Sequence, residues 1–365
     1  MLNSRTMNTA PKQPGLKEIA SLCGVSLMTV SRAFRQDTVI HPETRSRILR
    51  TAEMLHYHHS SRRGRPRAAK PREQRQVQLI LGICNGSTAY FHMRLLCSLE
   101  QQLASSGYEC LIRTSPGDYD IFIRLLDNAR KHKCAATLVM GDLPPEQLSA
   151  LIAALPGVIL LDNTGEYHFQ GSYSSFSFDN QKAAFIGAEH LIKDCRRRRI
   201  LLVNGRKGHF FSEELLSGYK KALALYGIPF DDSRVLYTDF SAASAAEALR
   251  EHLEAGGSFD AVLSNDEMAS GVYRILHEYG RRIPEEVAVC GCDDLPVGKQ
   301  LYPELTSISL DYTDLARKAI ALLDDSSRRF PGGVHTKLQP VLKRASSTGS
   351  PTALTAGDAD PGDKQ

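Results

Sequence analysis

Residues 16–34 read Leu-Lys-Glu-Ile-Ala-Ser-Leu-Cys-Gly-Val-Ser-Leu-Met-Thr-Val-Ser-Arg-Ala-Phe. Apolar residues recur at helical spacing before Gly24, and a helix pair often carries glycine in its turn. Ser26 is a favourable N-cap for a second helix, and Pro42 is a favourable first residue for a third. The stretch therefore predicts three short helices around a small core, which is the architecture of a helix–turn–helix domain.

Charge is distributed unevenly along the 365 residues, although the formal net charge is only +4. Residues 1–76 carry a net charge of +10, and residues 77–365 carry −6. A basic block joined to a mildly acidic body predicts a polyanion-binding module attached to a separate globular domain. The alternative is a solvated, disordered basic arm.

Composition argues against several other classes of protein. No apolar run approaches the ~18 residues of a membrane span, and the N-terminus lacks the apolar segment of a signal peptide. Eight cysteines without a C-x-x-C pair are typical of reduced thiols. His56, His58 and His59 lack the cysteine or carboxylate spacing of a metal site. We predict a cytoplasmic protein with no membrane association, metal or cofactor.

From Val77 onward, apolar strand-like stretches alternate with helical ones. This alternation predicts an α/β fold with parallel sheets covered by helices on both faces. Two such runs predict two lobes, with a ligand at the carboxyl ends of the strands in the cleft between them. The stretch 165–175, rich in Gly, Ser and Tyr, is predicted to be a loop.

Three segments near the N-terminus, Leu16-Lys-x-Ile-Ala, Gly24-Val-Ser-x-x-Thr-Val-Ser-Arg32 and Pro42-Glu-Thr-Arg45, resemble the headpiece of LacI/GalR-family bacterial transcription regulators. Landmarks such as Ser264-Asn-Asp-Glu-Met-Ala269 and Gly291-Cys-Asp-Asp-Leu295 extend the resemblance through the body. The resemblance implies a type I periplasmic-binding-protein-like core, a homodimer, and a repressor whose operator affinity is controlled by a small effector, a sugar or glycoside.

The chain is accordingly divided into five parts. The headpiece and the core are joined by a basic linker, and the two ends are predicted to be disordered. The boundaries are 1–14 for the N-terminus, 15–59 for the DNA-binding domain, 60–76 for the linker, 77–344 for the effector-binding and dimerisation domain, and 345–365 for the tail.

The resemblance places a recognition helix from about Ser26 to Phe34 in the major groove. Arg32 matches its base-contacting arginine, and arginine can donate two hydrogen bonds to guanine. Leu27 and Met28 match its variable base-reading pair; the alternative for Met28 is a core residue, and for Arg32 a solvated one. The DNA-binding positions implied in this region are Leu16, Ser26, Leu27, Met28, Thr29, Ser31, Arg32, Arg35 and Tyr57.

The resemblance also places an effector site in the cleft. Carboxylates and amides suit hydroxyl-rich ligands, because they accept and donate at fixed angles. The implied effector-binding residues are Asn85, Tyr90, Phe91, Asp162, Asn265 and Asp293. The alternative is ordinary core for the two aromatic residues and a capping role for Asp293.

One position in the body departs from the family. Leu215 stands where many members have an arginine that grips the effector. Loss of that five-donor group disfavours a carboxylate or phosphate effector, unless Arg206 or Lys207 takes its place.

The linker also departs from the family, whose members usually have a hinge helix there. Gly64 and Pro66 disfavour a helix. The run Arg63-Gly64-Arg65-Pro66-Arg67 instead resembles the core of an AT-hook. An extended backbone with flanking arginines fits the narrow, strongly negative minor groove of A·T tracts. The alternative is a flexible basic linker that contacts phosphates only.

Two other functions remain open from the sequence. A solute-binding protein would share the cleft, but the absent export signal and the basic front end argue against it. An enzyme could also use the cleft, but no nucleophile–base pair, metal triad or phosphate loop is apparent in the sequence.

The AT-hook hypothesis predicts a dependence on base composition between the two operator half-sites. Replacing A·T by G·C pairs there should lower affinity, because the guanine amino group obstructs the minor groove. A gel shift with the full chain measures this, and the same replacement outside the half-sites is the control. Equal affinity for both DNAs would contradict the hypothesis.

Overall fold

The computed structural model describes residues 15–34, 40–55, 57, 75–83, 90–163, 169–324 and 333–349. The chain divides into two units, Met1–Pro71 and Arg72–Gln365. Helices near the N-terminus form the first unit, and both sheets belong to the second.

Three helices form the first unit, α1 (Leu16–Leu22), α2 (Leu27–Ala33) and α3 (Pro42–Met54). Gly24 has φ +60, a left-handed conformation that glycine adopts without strain. The Ser26 hydroxyl accepts a hydrogen bond from the Thr29 amide at 3.1 Å, so the predicted N-cap is confirmed. Pro42 begins α3 as predicted.

The small core of this unit contains the apolar residues expected from the helical spacing. Ile19, Val30 and Ile48 are fully buried and pack together. One polar contact was not foreseen: the thiol of Cys23 donates to the Thr51 hydroxyl at 3.3 Å. It joins α1 to α3, and buried polar groups of this kind are normally hydrogen-bonded.

Lobe 1 of the second unit is built on a six-stranded sheet with order β11-β5-β4-β3-β1-β2. All of its strand pairs are parallel. The strands are β1 (Arg75–Gly82), β2 (Tyr108–Ser115), β3 (Thr137–Gly141), β4 (Val158–Leu161), β5 (Tyr173–Phe178) and β11 (His335–Leu338).

Lobe 2 is built on a second six-stranded sheet with order β12-β10-β9-β8-β6-β7. Its strands are parallel except for β12, which runs antiparallel to β10. The strands are β6 (Ile200–Asn204), β7 (Val235–Tyr237), β8 (Ala261–Leu263), β9 (Ala288–Cys292), β10 (Thr306–Ser309) and β12 (Val341–Lys343).

Helices cover both sheets. Those of lobe 1 are α4 (Tyr90–Ser105), α5 (Tyr119–Lys131), α6 (Pro145–Ala154) and α12 (Tyr312–Asp324). Those of lobe 2 are α7 (Asn180–Glu189), α8 (Phe210–Leu225), α9 (Ala242–Glu254), α10 (Asp266–Glu278) and α11 (Pro296–Gln300).

Successive side chains of β1 point to opposite faces of the sheet, and both faces are buried. Val77, Leu79 and Leu81 pack on one face with α4 and α12. Ile80 packs on the other face with α5 and α6. A parallel strand that is buried on both faces favours apolar residues at most of its positions.

The chain crosses between the lobes three times. The first crossing joins β5 of lobe 1 to α7 of lobe 2, and the second joins β10 of lobe 2 to α12 of lobe 1. The third joins β11 of lobe 1 to β12 of lobe 2. Strands β5 and β11 lie at one edge of the first sheet, and β10 and β12 lie at one edge of the second. The crossings are therefore gathered at one side of the cleft.

The predicted loop over 165–175 is wrong at its C-terminal end, because β5 begins at Tyr173. Four of its six side chains, one tyrosine and three serines, carry hydroxyl groups, so the strand does not form an apolar run. Ser175 is accommodated by a 2.8 Å hydrogen bond to His335 of β11. The contact comes from residues far along the chain, so no local pattern reveals it.

The predicted disorder from 345 onward is wrong for residues 345–349. Ser347 is fully buried, and its hydroxyl donates to the Val289 carbonyl at 2.6 Å and accepts from the Thr306 amide at 2.8 Å. Thr348 contacts His190 at 3.0 Å. The polar side chains of this segment form hydrogen bonds to lobe 2. Residues 350–365, like the predicted disordered residues 1–14, lie outside the described part of the chain.

Ser26→Ala should destabilise the headpiece by about 1 kcal/mol, because the first turn of α2 loses its side-chain cap. Thermal unfolding of the full chain, followed through the headpiece transition, measures the change. Ser21→Ala, at an exposed position of α1, is the control. Equal midpoints for both variants would contradict the role of the cap.

Candidate DNA-binding surface and effector cleft

The N-terminal half of α2 presents its side chains to solvent. Leu27 and Met28 are 44% and 63% exposed, so Met28 is not a core residue. Arg32 is also exposed, one turn further along the helix, and Ser31 is half-buried. This face has apolar groups able to contact methyls and one guanidinium able to contact guanine.

Other predicted DNA-binding positions have structural contacts of their own. The hydroxyls of Ser26 and Thr29 lie 2.9 Å apart and complete the cap of α2. Leu16 and Tyr57 are half-buried against the headpiece core, and the Tyr57 ring centroid is 6.0 Å from that of Phe34. Arg35, Arg63, Gly64, Arg65, Pro66 and Arg67 lie outside the described residues.

A cavity of about 220 Å³ lies between the two lobes, at the carboxyl ends of their strands. Lobe 1 contributes residues that follow β1, β3 and β4, and lobe 2 contributes residues that follow β6, β7, β8 and β9. The lining residues are Gly82, Phe91, His92, Gly141, Asp142, Asp162, Arg206, His209, Phe210, Phe211, Asp239, Phe240, Ser241, Asn265, Glu267 and Asp293.

The cavity brings together four of the six effector positions predicted from the sequence: Phe91, Asp162, Asn265 and Asp293. Tyr90 is 64% exposed and does not line the cavity. Its backbone hydrogen-bonds the carboxylate of Glu267 in lobe 2. The sixth position, Asn85, lies outside the described residues.

Sequence reasoning missed an aromatic wall on lobe 2. The ring of His209 lies 4.7 Å from that of Phe210 and 5.0 Å from that of Phe240. Phe211 adds a third phenylalanine, 5.9 Å from Phe240. The signal available in the sequence was the Phe-Phe pair that opens α8. Aromatic faces of this kind suit the apolar face of a ring-shaped ligand.

Backbone strain is concentrated at this cavity. Asp162, Phe240 and Asp293 have φ values of +50, +75 and +99, and each lines it. Non-glycine residues rarely adopt this region, and such residues cluster at functional sites. Gly205 permits the Phe240 conformation, because a Cβ on Gly205 would lie 1.7 Å from the Phe240 ring.

Two buried carboxyl groups face the cavity. Burial raises the pKa of Asp162 to about 7, despite a 2.9 Å hydrogen bond from the Phe178 amide. Burial likewise raises the pKa of Asp293 to about 7. The Oδ1 atom of Asp293 is buried and accepts no hydrogen bond from the described part of the chain. It is therefore placed to accept one from a ligand hydroxyl.

The other ionisable groups of the cavity have separate roles. Burial lowers the pKa of His92 to about 4, so its ring is neutral at pH 7. Burial raises the pKa of Glu267. The Asp239 carboxylate accepts a 2.9 Å hydrogen bond from the Ser241 amide, and its hydrogen bonds to Ser241 and Ser244 lower its pKa. Asp239 thus stabilises the start of α9.

Of the two residues that could replace the family's arginine at the position of Leu215, only Arg206 lines the cavity. Leu215 is buried in the core of lobe 2, and the Lys207 ammonium lies 5.9 Å from the Tyr237 ring centroid, outside the cavity lining. Arg206 is the single Lys or Arg among the described lining residues. It forms an ion pair with Asp142 of lobe 1, which places a compensating negative charge beside the guanidinium.

The described residues include no group of three or more His, Cys, Asp and Glu side chains arranged to hold a metal ion. None of the helices in the described ranges has the length and hydropathy needed to cross a membrane.

The two units match two known families. Residues 15–60 match the bacterial regulatory proteins of the lacI family, and residues 188–347 match the periplasmic binding protein-like domain. The chain therefore carries a lacI-family DNA-binding domain followed by a periplasmic binding protein-like domain. It is homologous to transcriptional regulators over nearly its whole length, as the individual relatives show.

The transcriptional regulator GalR of Salmonella typhimurium is 27% identical over 343 residues, which cover 92% of this chain and 96% of GalR. The regulator CelR in complex with cellobiose is 26% identical, with a TM-score of 0.67 over 92% of this chain and 99% of CelR. The lac repressor dimer bound to operator, at 21% identity, has a TM-score of 0.65 over 93% of this chain and all of the repressor chain. Because its identity is only 21%, the match to the lac repressor shows a shared fold and nothing more.

The raised pKa of Asp293 predicts a pH-dependent cost of its burial. The folded chain binds an extra proton between the ordinary pKa near 3.8 and about 7. The free energy of unfolding therefore falls as pH rises through this window and is level above it. Asp293→Asn removes this dependence, so its stability gain over the natural chain should be about 2 kcal/mol larger at pH 8 than at pH 5.

Unfolding of the core unit in urea at the two pH values measures this difference. Asp120→Asn, at an exposed position of α5, is the control for the loss of one carboxylate. An equal effect of Asp293→Asn at both pH values would show that Asp293 is already ionised at pH 5.

Proposed function

We propose that this protein is a sequence-specific transcription repressor whose operator affinity is controlled by a small, hydroxyl-rich effector. The observation that carries the proposal is the pairing, on one chain, of an exposed recognition helix with an interlobe cavity lined by rings and buried carboxyls. The first reads DNA and the second binds the effector. Residues 15–59, 60–76 and 77–344 are proposed as the reader, the linker and the sensor.

The proposed DNA contacts are centred on α2. Arg32 would read guanine in the major groove, while Leu27 and Met28 would contact methyl groups and shape. Ser31 and the capping residues Ser26 and Thr29 would contact phosphates, which position the helix without specifying sequence. The linker Arg63-Gly64-Arg65-Pro66-Arg67 is proposed to follow the minor groove.

The proposed effector is a neutral sugar or glycoside. Asp162, Asn265 and Asp293 supply acceptors and a donor for hydroxyls, and Phe240 supplies a face for the ring. An anionic effector is disfavoured, because Arg206 is already paired with Asp142 among several carboxylates. The cellobiose complex of CelR supports a carbohydrate.

Binding without turnover is part of the proposal. The relatives matched over nearly the whole chain are regulators, and a regulator of this kind acts in the cytoplasm, where it reaches the chromosome. The protein would bind as a homodimer, because helix–turn–helix proteins read two half-sites separated by a fixed distance. Effector binding would change how the two headpieces match that spacing.

Arg32→Ala should lower affinity for the operator by at least about tenfold, because one good base contact contributes about 1–3 kcal/mol of discrimination. Affinity for random DNA should change little. A DNA selection with the natural protein first defines the operator, and gel shifts then compare the variants. Arg50→Ala, at an exposed position of α3, is the control for loss of one positive charge. Unchanged operator affinity of Arg32→Ala would overturn its assignment.

A further inference from the structure

The ion pair of Asp142 and Arg206 joins the two lobes across the cleft. Asp142 follows β3 of lobe 1, and Arg206 follows β6 of lobe 2. Their side chains are 24% and 35% exposed, and they are directly paired. The Nε2 atom of His209, also from lobe 2, lies 3.6 Å from Oδ1 of the same aspartate. Lobe 1 thus offers one carboxylate to two groups of lobe 2.

The position of this pair distinguishes it from two interlobe contacts that lie beside the crossings. The Tyr312 hydroxyl donates to the Asp293 carbonyl at 2.9 Å, and Lys337 lies 3.1 Å from the Glu214 carboxylate. Tyr312 and Lys337 belong to segments that directly adjoin the interlobe crossings. They therefore remain close to their partners when the lobes rotate about the crossings.

Strands β3 and β6, by contrast, lie away from the crossing edge of their sheets. In the first sheet β3 is separated from β5 by β4, and in the second β6 is separated from β10 by β8 and β9. A rotation about the crossings displaces atoms in proportion to their distance from that axis. The pair of Asp142 and Arg206 would then be broken early when the cleft opens.

We propose that Asp142 and Arg206 form a clasp that stabilises the closed arrangement of the lobes and thereby sets the effector affinity. They act as positioning residues. A contact made in the closed form alone favours that form, and a ligand that binds only the closed form then binds more tightly by up to the same factor. The link to effector affinity rests on the proposed function, whereas the clasp itself does not.

The clasp also connects to the aromatic wall. The Arg206 guanidinium carbon lies 5.7 Å from the ring centroid of Phe240, a cation–π distance. The side chain that reaches across to Asp142 therefore also packs on the ring that lines the cavity. Arg206 therefore links the closure of the cleft to a ring that faces the cavity.

Hydrogen–deuterium exchange of the full chain, without DNA or added ligand, tests the clasp. Asp142→Asn and Arg206→Gln should each speed exchange of amides in 204–211 and 239–242 by about two- to fivefold, the range expected for a partly screened ion pair. The exchanged pair, Asp142→Arg with Arg206→Asp, should restore slower exchange. Asp314→Asn, which breaks an ion pair within lobe 1, is the matched control.

Natural exchange rates in Asp142→Asn, or an exchanged pair as fast as the single variants, would overturn the clasp. Slower exchange in the exchanged pair supports it, because a mere loss of folding would not be repaired by reversing two charges. Operator binding is measured separately. If the clasp variants behave as expected but the natural chain binds no operator, the proposed function fails and the clasp stands.

Discussion

Parallel strand pairing is the constraint on which both lobes depend. It aligns the carboxyl ends of the strands at one edge of each sheet, and the three crossings hold those two edges opposite each other. Residues from seven strand ends therefore meet in one cavity, although they lie far apart along the chain. The carboxyl ends of parallel strands are also where open α/β sheets bind their ligands.

The cavity contains buried carboxyl groups and strained backbone angles, both of which lower the stability of the fold. Desolvation alone would make Asp162 and Asp293 poor choices for these positions, and both also have unfavourable backbone angles. Hydrophobic burial in the two lobes offsets such local costs, since each sheet is covered on both faces. Binding sites commonly carry strain and buried polarity that the rest of the domain compensates.

Much of the fold could be predicted from the sequence, because its signals are local. The turn glycine and N-cap of the headpiece, and apolar runs such as Val158–Leu161, depend on neighbours within a few residues. Strand β5 was missed because two of its serines, Ser174 and Ser175, are hydrogen-bonded to distant residues. In the cleft, Phe91 and Asp162 were foreseen by resemblance, but Phe240 was not. Its place depends on a left-handed backbone and on the missing Cβ of Gly205, and neither leaves a local pattern.

The order of elements along the chain has a consequence for synthesis on the ribosome. Lobe 1 is completed by β11, and lobe 2 by β12 and the segment around Ser347, all of which come after α12. The headpiece needs only the first residues and can fold as soon as they emerge. Each lobe must instead wait for nearly the whole core to be translated, with its sheet edges unpaired in the interval. The DNA-reading part of a nascent chain thus exists before the part that regulates it.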